Sequence, residues 1–126
     1  MTLSRIALGK IGEDLACEEL SRQGYEIVAR RHRQRGGELD IIARDGATLV
    51  FVEVKARDGN EFGEAAEAVT VSKRRRIAHL AIGYVAHHRL TATPCRFDVV
   101  CIHLDAAGTS EPIIEVYKNA FDATGG

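Results

Sequence analysis

The sequence predicts an α/β domain built on a mixed sheet, with elements in the order α-β-β-β-α-β-β. Three observations carry this expectation. Two segments space their apolar residues as amphipathic helices do, and five short runs rich in Val, Ile and Phe read as strands. A hairpin signal, Asp45-Gly46, joins two of those runs.

The first helix is expected from about Leu8 to Arg22, with Leu8, Ile11, Leu15, Ala16 and Leu20 on its buried stripe and Gly24 as its stop. Gly9 and Gly12 near its start each cost roughly 1 kcal/mol against Ala, which points to another backbone close by or to a later start. Tyr25 to Arg33 reads as a first strand, and Glu38 to Arg44 and Thr48 to Ala56 as a second and third. Asp58 to Glu64 is a polar loop. Ser72 to His88 is the second helix, burying Ile77, Leu80, Ala81, Tyr84 and Val85. Pro94 precedes a strand from Arg96 to Leu104, and after a loop near Gly108 a short strand closes at Ile113 to Tyr117.

The chain of 126 residues suffices for one domain, expected over residues 1–122 with a frayed tail at 123–126. No run nears the roughly 18 apolar residues of a membrane span. Charges at Arg5, Lys10, Glu13 and Asp14 interrupt any secretory pattern, so a cytoplasmic protein is expected. Cys17, Cys95 and Cys101 have no metal-ligand spacing and read as reduced thiols. The formal net charge is −1, but eight of the 17 basic residues fall in two clusters. These are Arg30, Arg31, Arg33 and Arg35, then Lys73, Arg74, Arg75 and Arg76; between them lie Asp58, Glu61, Glu64 and Glu67. Either cluster alone also fits a solvated surface; together they offer a local positive face to phosphates.

With Asp45-Gly46 as a two-residue loop, counting outward sets Ile42 opposite Leu49, Asp40 opposite Phe51 and Glu38 opposite Glu53. Alternation then puts Asp40, Glu53 and Lys55 on one face, Asp40 and Glu53 being diagonal neighbours at roughly 7–8 Å. The other face of the third strand, Val50, Val52, Val54 and Ala56, is apolar, so the strand reads as buried on both sides. Charge at its end needs a partner. A hard divalent cation such as Mg²⁺ relieves crowded carboxylates; an internal Glu53–Lys55 ion pair is the structural alternative.

Gly37-Glu38-Leu39-Asp40, followed thirteen residues after Asp40 by Glu53-Val54-Lys55, resembles the PD-(D/E)xK nuclease superfamily. More narrowly, the chain resembles the uncharacterised bacterial YraN-like family. Gly12-Glu13-Asp14 with Ala16, Phe51-Val52-Glu53-Val54-Lys55, Lys73 and Arg96-Phe97-Asp98-Val99 carry that likeness, in order over about residues 9–104. The resemblance implies a restriction-endonuclease-like fold and a Mg²⁺- or Mn²⁺-dependent nuclease acting on DNA more than RNA. Asp40 and Glu53 are then metal ligands and Lys55 orients the attacking water. Related junction-resolving enzymes add a helix glutamate, here Glu13, and their substrates make branched DNA the first expectation and a homodimer one assembly to expect. Leu39 stands where the superfamily's name has Pro.

Lys73, Arg74 and Arg76 crowd a helix N-terminus, whose dipole and free N–H groups favour anions, so they read as phosphate contacts with Lys73 foremost. Arg57 continues the strand face of Lys55, and Arg33 and Arg35 extend the basic side. The clustered residues have a solvated-surface alternative, Arg57 that of a scaffold contact, and Glu13 that of an exposed helix residue. Arg96 and Asp98 at i and i+2 read as a structural ion pair. A nucleic-acid-binding module of the same fold with little activity is the rival to the nuclease.

Overall fold

The computed structural model describes residues 4–58, 69–105 and 110–126, so all of the loop expected at Asp58–Glu64 except Asp58, which ends a strand, the carboxylates of Glu61, Glu64 and Glu67 and the loop near Gly108 lie outside the described residues. Helix α1 spans Arg5–Arg22, strands β1 Glu26–Gln34, β2 Gly37–Asp45 and β3 Thr48–Asp58, helix α2 Val71–His87, and strands β4 Cys95–Leu104 and β5 Ile113–Phe121. This is the expected α-β-β-β-α-β-β order. The five strands form one sheet in chain order, antiparallel throughout except for the parallel β3–β4 pair. The meander β1-β2-β3 runs from one edge to the middle, and α2 crosses over to bring β4 alongside β3.

Side-chain alternation along β3 sorts the core into two layers. Val50 and Val52 pack with Ile41, Ala43, Val100 and Ile102 against Ala16 and Leu20 of α1. Leu49 and Phe51 pack with Ile42, Phe97 and Val99 against Ile77, Leu80, Ala81 and Tyr84 of α2. Hence β3 is buried on both faces, and a charged residue at an inward position on it is buried too.

Both helices start on side-chain caps. Ser4 Oγ accepts the Ala7 N–H at 3.1 Å, and Thr70 Oγ1 accepts the Lys73 N–H at 3.2 Å. The cap at Ser4 starts α1 before Leu8, so Gly9 and Gly12 lie inside the helix. A Cβ built on Gly12 would stand 2.7 Å from the Ala56 Cβ, so here the glycine does mark close approach to β3; at Gly9 the space is open.

The β2–β3 turn differs from the expected one by two residues in register. Asp45 pairs with Thr48, so the loop is Gly46-Ala47, not Asp45-Gly46. Gly46 takes φ 61° while Ala47 keeps a negative φ. That is the II′ pattern, with Gly first, instead of the I′ pattern Asp-Gly suggests. A shift of two preserves every face assignment but sets Asp40 against Glu53 instead of Phe51.

β5 runs past the expected Tyr117 because a bulge absorbs the twist. The register with β4 slips between Phe97 and Val99, Asn119 takes φ 54°, and its N–H is accepted by Asp98 Oδ1 at 3.0 Å. At the end of the chain Asp122 Oδ1 accepts the N–H groups of Thr124 and Gly126 at 2.9 and 3.2 Å.

Asp98 is fully buried and fully engaged. The Tyr25 hydroxyl donates to it at 2.7 Å and Arg96 clasps it with two bonds of 2.8 and 3.0 Å. Arg96 also donates to Asp45 at 2.9 Å. Burial and the Asp98 carboxylate push the Tyr25 hydroxyl well above its ordinary pKa, so it stays a donor. The ion-pair reading of Arg96 and Asp98 therefore describes a network that joins the β2–β3 turn to β4 and β5.

Candidate active site

The β2–β3 ladder ends at Ile41–Val52. One residue further the backbone pairing is replaced by a side chain: Asp40 Oδ2 accepts the Val54 N–H at 2.9 Å. The strands part there, and the gap between them brings the Asp40 and Glu53 carboxyls together closely enough to raise the pKa of Asp40. Glu53 is only 4% exposed. Lys73, from the first turn of α2, sets its Nζ 2.7 Å from Glu53 Oε1.

Two like charges in a poorly hydrated gap cannot both stay ionised cheaply. Burial, then the Glu53 charge and the hydrogen bond between the carboxyls, push Asp40 up to about 7, against the Val54 N–H and the Lys73 charge. Burial alone would lower Lys73. The hydrogen bond to Glu53 and the charges of Glu53 and Asp40 win, and its pKa is raised.

These groups open into a cleft of about 370 Å³ whose walls come from α1, β1, β2, β3 and α2. Its cations are Lys10, Arg31, Arg33 and Lys73; its carboxylates are Glu13, Glu38, Asp40 and Glu53. Most are already paired. Arg33 Nε binds Glu38 at 3.1 Å, and Glu13 receives Arg30 Nε at 3.1 Å and Arg31 Nε at 3.0 Å. Consecutive strand residues point to opposite faces, so Arg30 and Arg31 converge on one carboxylate only because Arg31 leaves the extended conformation, at φ 48°. A left-handed non-glycine residue costs of order 1 kcal/mol or more, here offset by a two-arginine grip on a carboxylate that is 7% exposed.

Glu13 is thus at the cleft wall and not among the paired carboxyls. Among the described residues no three His, Cys, Asp or Glu side chains gather closely enough to hold an ion. The expected three-carboxylate set is a pair, with Glu13 held back by arginines. Lys55 follows Glu53 on the same strand face, beside Cys101 of β4, and does not line the cleft. Arg57 lies two residues further, beside His103.

The other basic residues divide. Arg33 and Lys73 line the cleft. Arg35 lines a separate depression of about 460 Å³ with His32, Gln34, Tyr84, His87 and His88. Arg76 lies along Gly37. Arg74 donates to the backbone oxygens of Val69 at 2.8 Å and Gly125 at 3.5 Å, fastening the tail to α2. Sequence reasoning did not single out Lys10 or Arg31 as site residues. The signal for Lys10 was its i, i+3 spacing to Glu13 on α1.

The donors fit a hard divalent cation: two carboxyls held together at the floor of an open, water-accessible cleft, already drawing one ammonium to themselves. None of the described helices is long and apolar enough to cross a membrane.

Comparison with known proteins places the chain in a family. A UPF0102 protein of Symbiobacterium thermophilum is 47% identical over 116 residues, covering 92% of this chain and 97% of that protein. One of Pelotomaculum thermopropionicum is 41% identical over 121 residues, covering 96% and 100%. A solved structure of Pyrococcus furiosus SfsA in complex with Ca²⁺ is similar at 16% identity and a TM-score of 0.40, over 88% of this chain and 62% of that one. The pattern of one family matches residues 12–102, and the chain belongs to it: the uncharacterised protein family UPF0102.

Proposed function

We propose that this protein is a divalent-metal-dependent nuclease of the PD-(D/E)xK type that hydrolyses DNA phosphodiesters, branched DNA being the first substrate to try. The observation that carries the reading is the Asp40–Glu53 pair, Glu53 buried and Asp40 half-buried, held across parted strands in a cleft with cations on its walls. Two carboxyls so close are costly to the fold, and the single ammonium of Lys73 only partly offsets their charge. Asp40 and Glu53 would hold the ion. A bound Mg²⁺ or Mn²⁺ supplies Lewis-acid polarisation of a phosphoryl oxygen and a lowered pKa for water.

The chain's own groups do the rest. Val54 N–H fixes the orientation of the Asp40 carboxylate. Lys73, at the cleft wall, places positive charge where a phosphate enters. Lys55, on the Glu53 face of β3, is the residue to orient the attacking water, as the resemblance implies. Arg33 and Arg31 take neighbouring phosphates at the expense of Glu38 and Glu13.

One observation favours the rival, a binding module with little activity: Lys55 does not line the cleft with the carboxyls. Cleavage assays with Mg²⁺ or Mn²⁺ on single-stranded, duplex, flapped and four-way DNA separate the two. The nuclease reading expects cleavage of at least one substrate, lost in both Asp40→Ala and Lys55→Ala. Tight, metal-independent binding without cleavage of any substrate would overturn it in favour of the module.

A further inference from the structure

Lys73 occupies an unusual post for a phosphate ligand. Its Nζ lies 2.7 Å from Glu53 Oε1, inside the carboxyl pair, while its side chain is 51% exposed. Half-exposed lysines normally extend into water, and an exposed ion pair contributes about 0–1 kcal/mol. This one is different because its partner is 4% exposed and sits beside a second carboxyl. The Thr70 cap fixes the backbone of Lys73 at the third helical position, so the four-carbon stem can swing while its base stays put.

We infer that Lys73 is a resident counter-ion, holding the place of the divalent cation on Glu53 until a phosphate draws its ammonium away. This inference rests on the metal-site reading above and adds a positioning role: Lys73 acts through Glu53 on metal affinity. A divalent cation approaching Glu53 Oε1 meets the positive charge of the ammonium already on it, so the two compete for that carboxylate and metal entry there displaces Lys73. A phosphate at the cleft wall offers the displaced ammonium a new anion. Metal and DNA therefore bind with positive coupling, which is reciprocal between the two ligands.

Titration calorimetry with MnCl₂ tests this on the full chain, comparing wild type with Lys73→Met, Lys73→Arg and Asp40→Asn. A charge-assisted hydrogen bond to a carboxylate corresponds to roughly a tenfold change in affinity. Without DNA, Lys73→Met is expected to bind Mn²⁺ about tenfold more tightly than wild type, and Lys73→Arg to stay near wild type. Adding a short DNA duplex should tighten Mn²⁺ binding to wild type more than to Lys73→Met. A purely structural lysine would, on removal, leave Mn²⁺ affinity unchanged or weaken it. Either result in Lys73→Met, with wild-type binding intact and lost in Asp40→Asn, overturns the inference and leaves the metal site standing. No Mn²⁺ binding by wild type or Lys73→Met overturns both.

Discussion

Asp40 enters folding as an ordinary carboxyl near pH 4 and becomes part of a pair whose proton is held up to about pH 7. Below pH 4 folded and unfolded chains both carry that proton; between 4 and 7 only the folded chain does. Stability of the metal-free protein is therefore expected to fall as pH rises through that window, by on the order of 4 kcal/mol over the whole of it. Urea denaturation in EDTA at pH 5 and pH 8 measures it, and Asp40→Asn should remove most of the difference. Asp40 and Glu53 were legible at this scale because period-two alternation survives a register shift of two. The grip of Arg30 and Arg31 on Glu13 was not, since it depends on a left-handed residue that strand periodicity does not anticipate.

Between elements, the decisive contact is that of α1 on β3. Gly12→Ala would press a methyl to within 2.7 Å of the Ala56 Cβ. The expected cost is about 1–3 kcal/mol of overpacking, recovered in part by adding Ala56→Gly. Gly9→Ala, in open space on the same helix, should instead stabilise by up to about 1 kcal/mol; thermal melts of the two variants separate the cases. Among the described residues both helices and all five strands were visible as patterns of apolar spacing. Their ends were less so. The ends of α1 and β5 depend on Ser4 as a cap and on a bulge at Asn119 bonded to Asp98, contacts a linear pattern does not contain. The hairpin register turned on which residue took the positive φ, and Asp-Gly misplaced it by naming the commoner turn.

Across the whole molecule, the Asp98 network ties Tyr25, Asp45, Arg96 and Asn119, drawn from the start of β1, the β2–β3 turn, β4 and β5. Asp98→Ala leaves buried donors without their acceptor and should cost about 3–5 kcal/mol, read as a lowered urea midpoint with the metal-binding stoichiometry of the surviving folded protein unchanged. From sequence the pair at 96 and 98 was recognisable, but two further partners of Asp98, Asn119 and Tyr25, lie 21 and 73 positions away. The topology also divides the site in time. Asp40 and Glu53 meet through a hairpin of neighbouring strands, whereas Lys73 arrives with the helix that carries the chain to the parallel β3–β4 pairing. Local hairpins form in microseconds and distant strand pairing is slower. On that order of events the carboxyls are expected to repel one another in the folding transition state before their counter-ion is in place. At pH 8 without metal, Asp40→Asn should speed refolding, while Lys73→Met should leave the refolding rate unchanged and hasten unfolding. Stopped-flow chevrons would show the first change on one limb and the second on the other: repulsion retards the arrival of the native state, and the ammonium prolongs its lifetime.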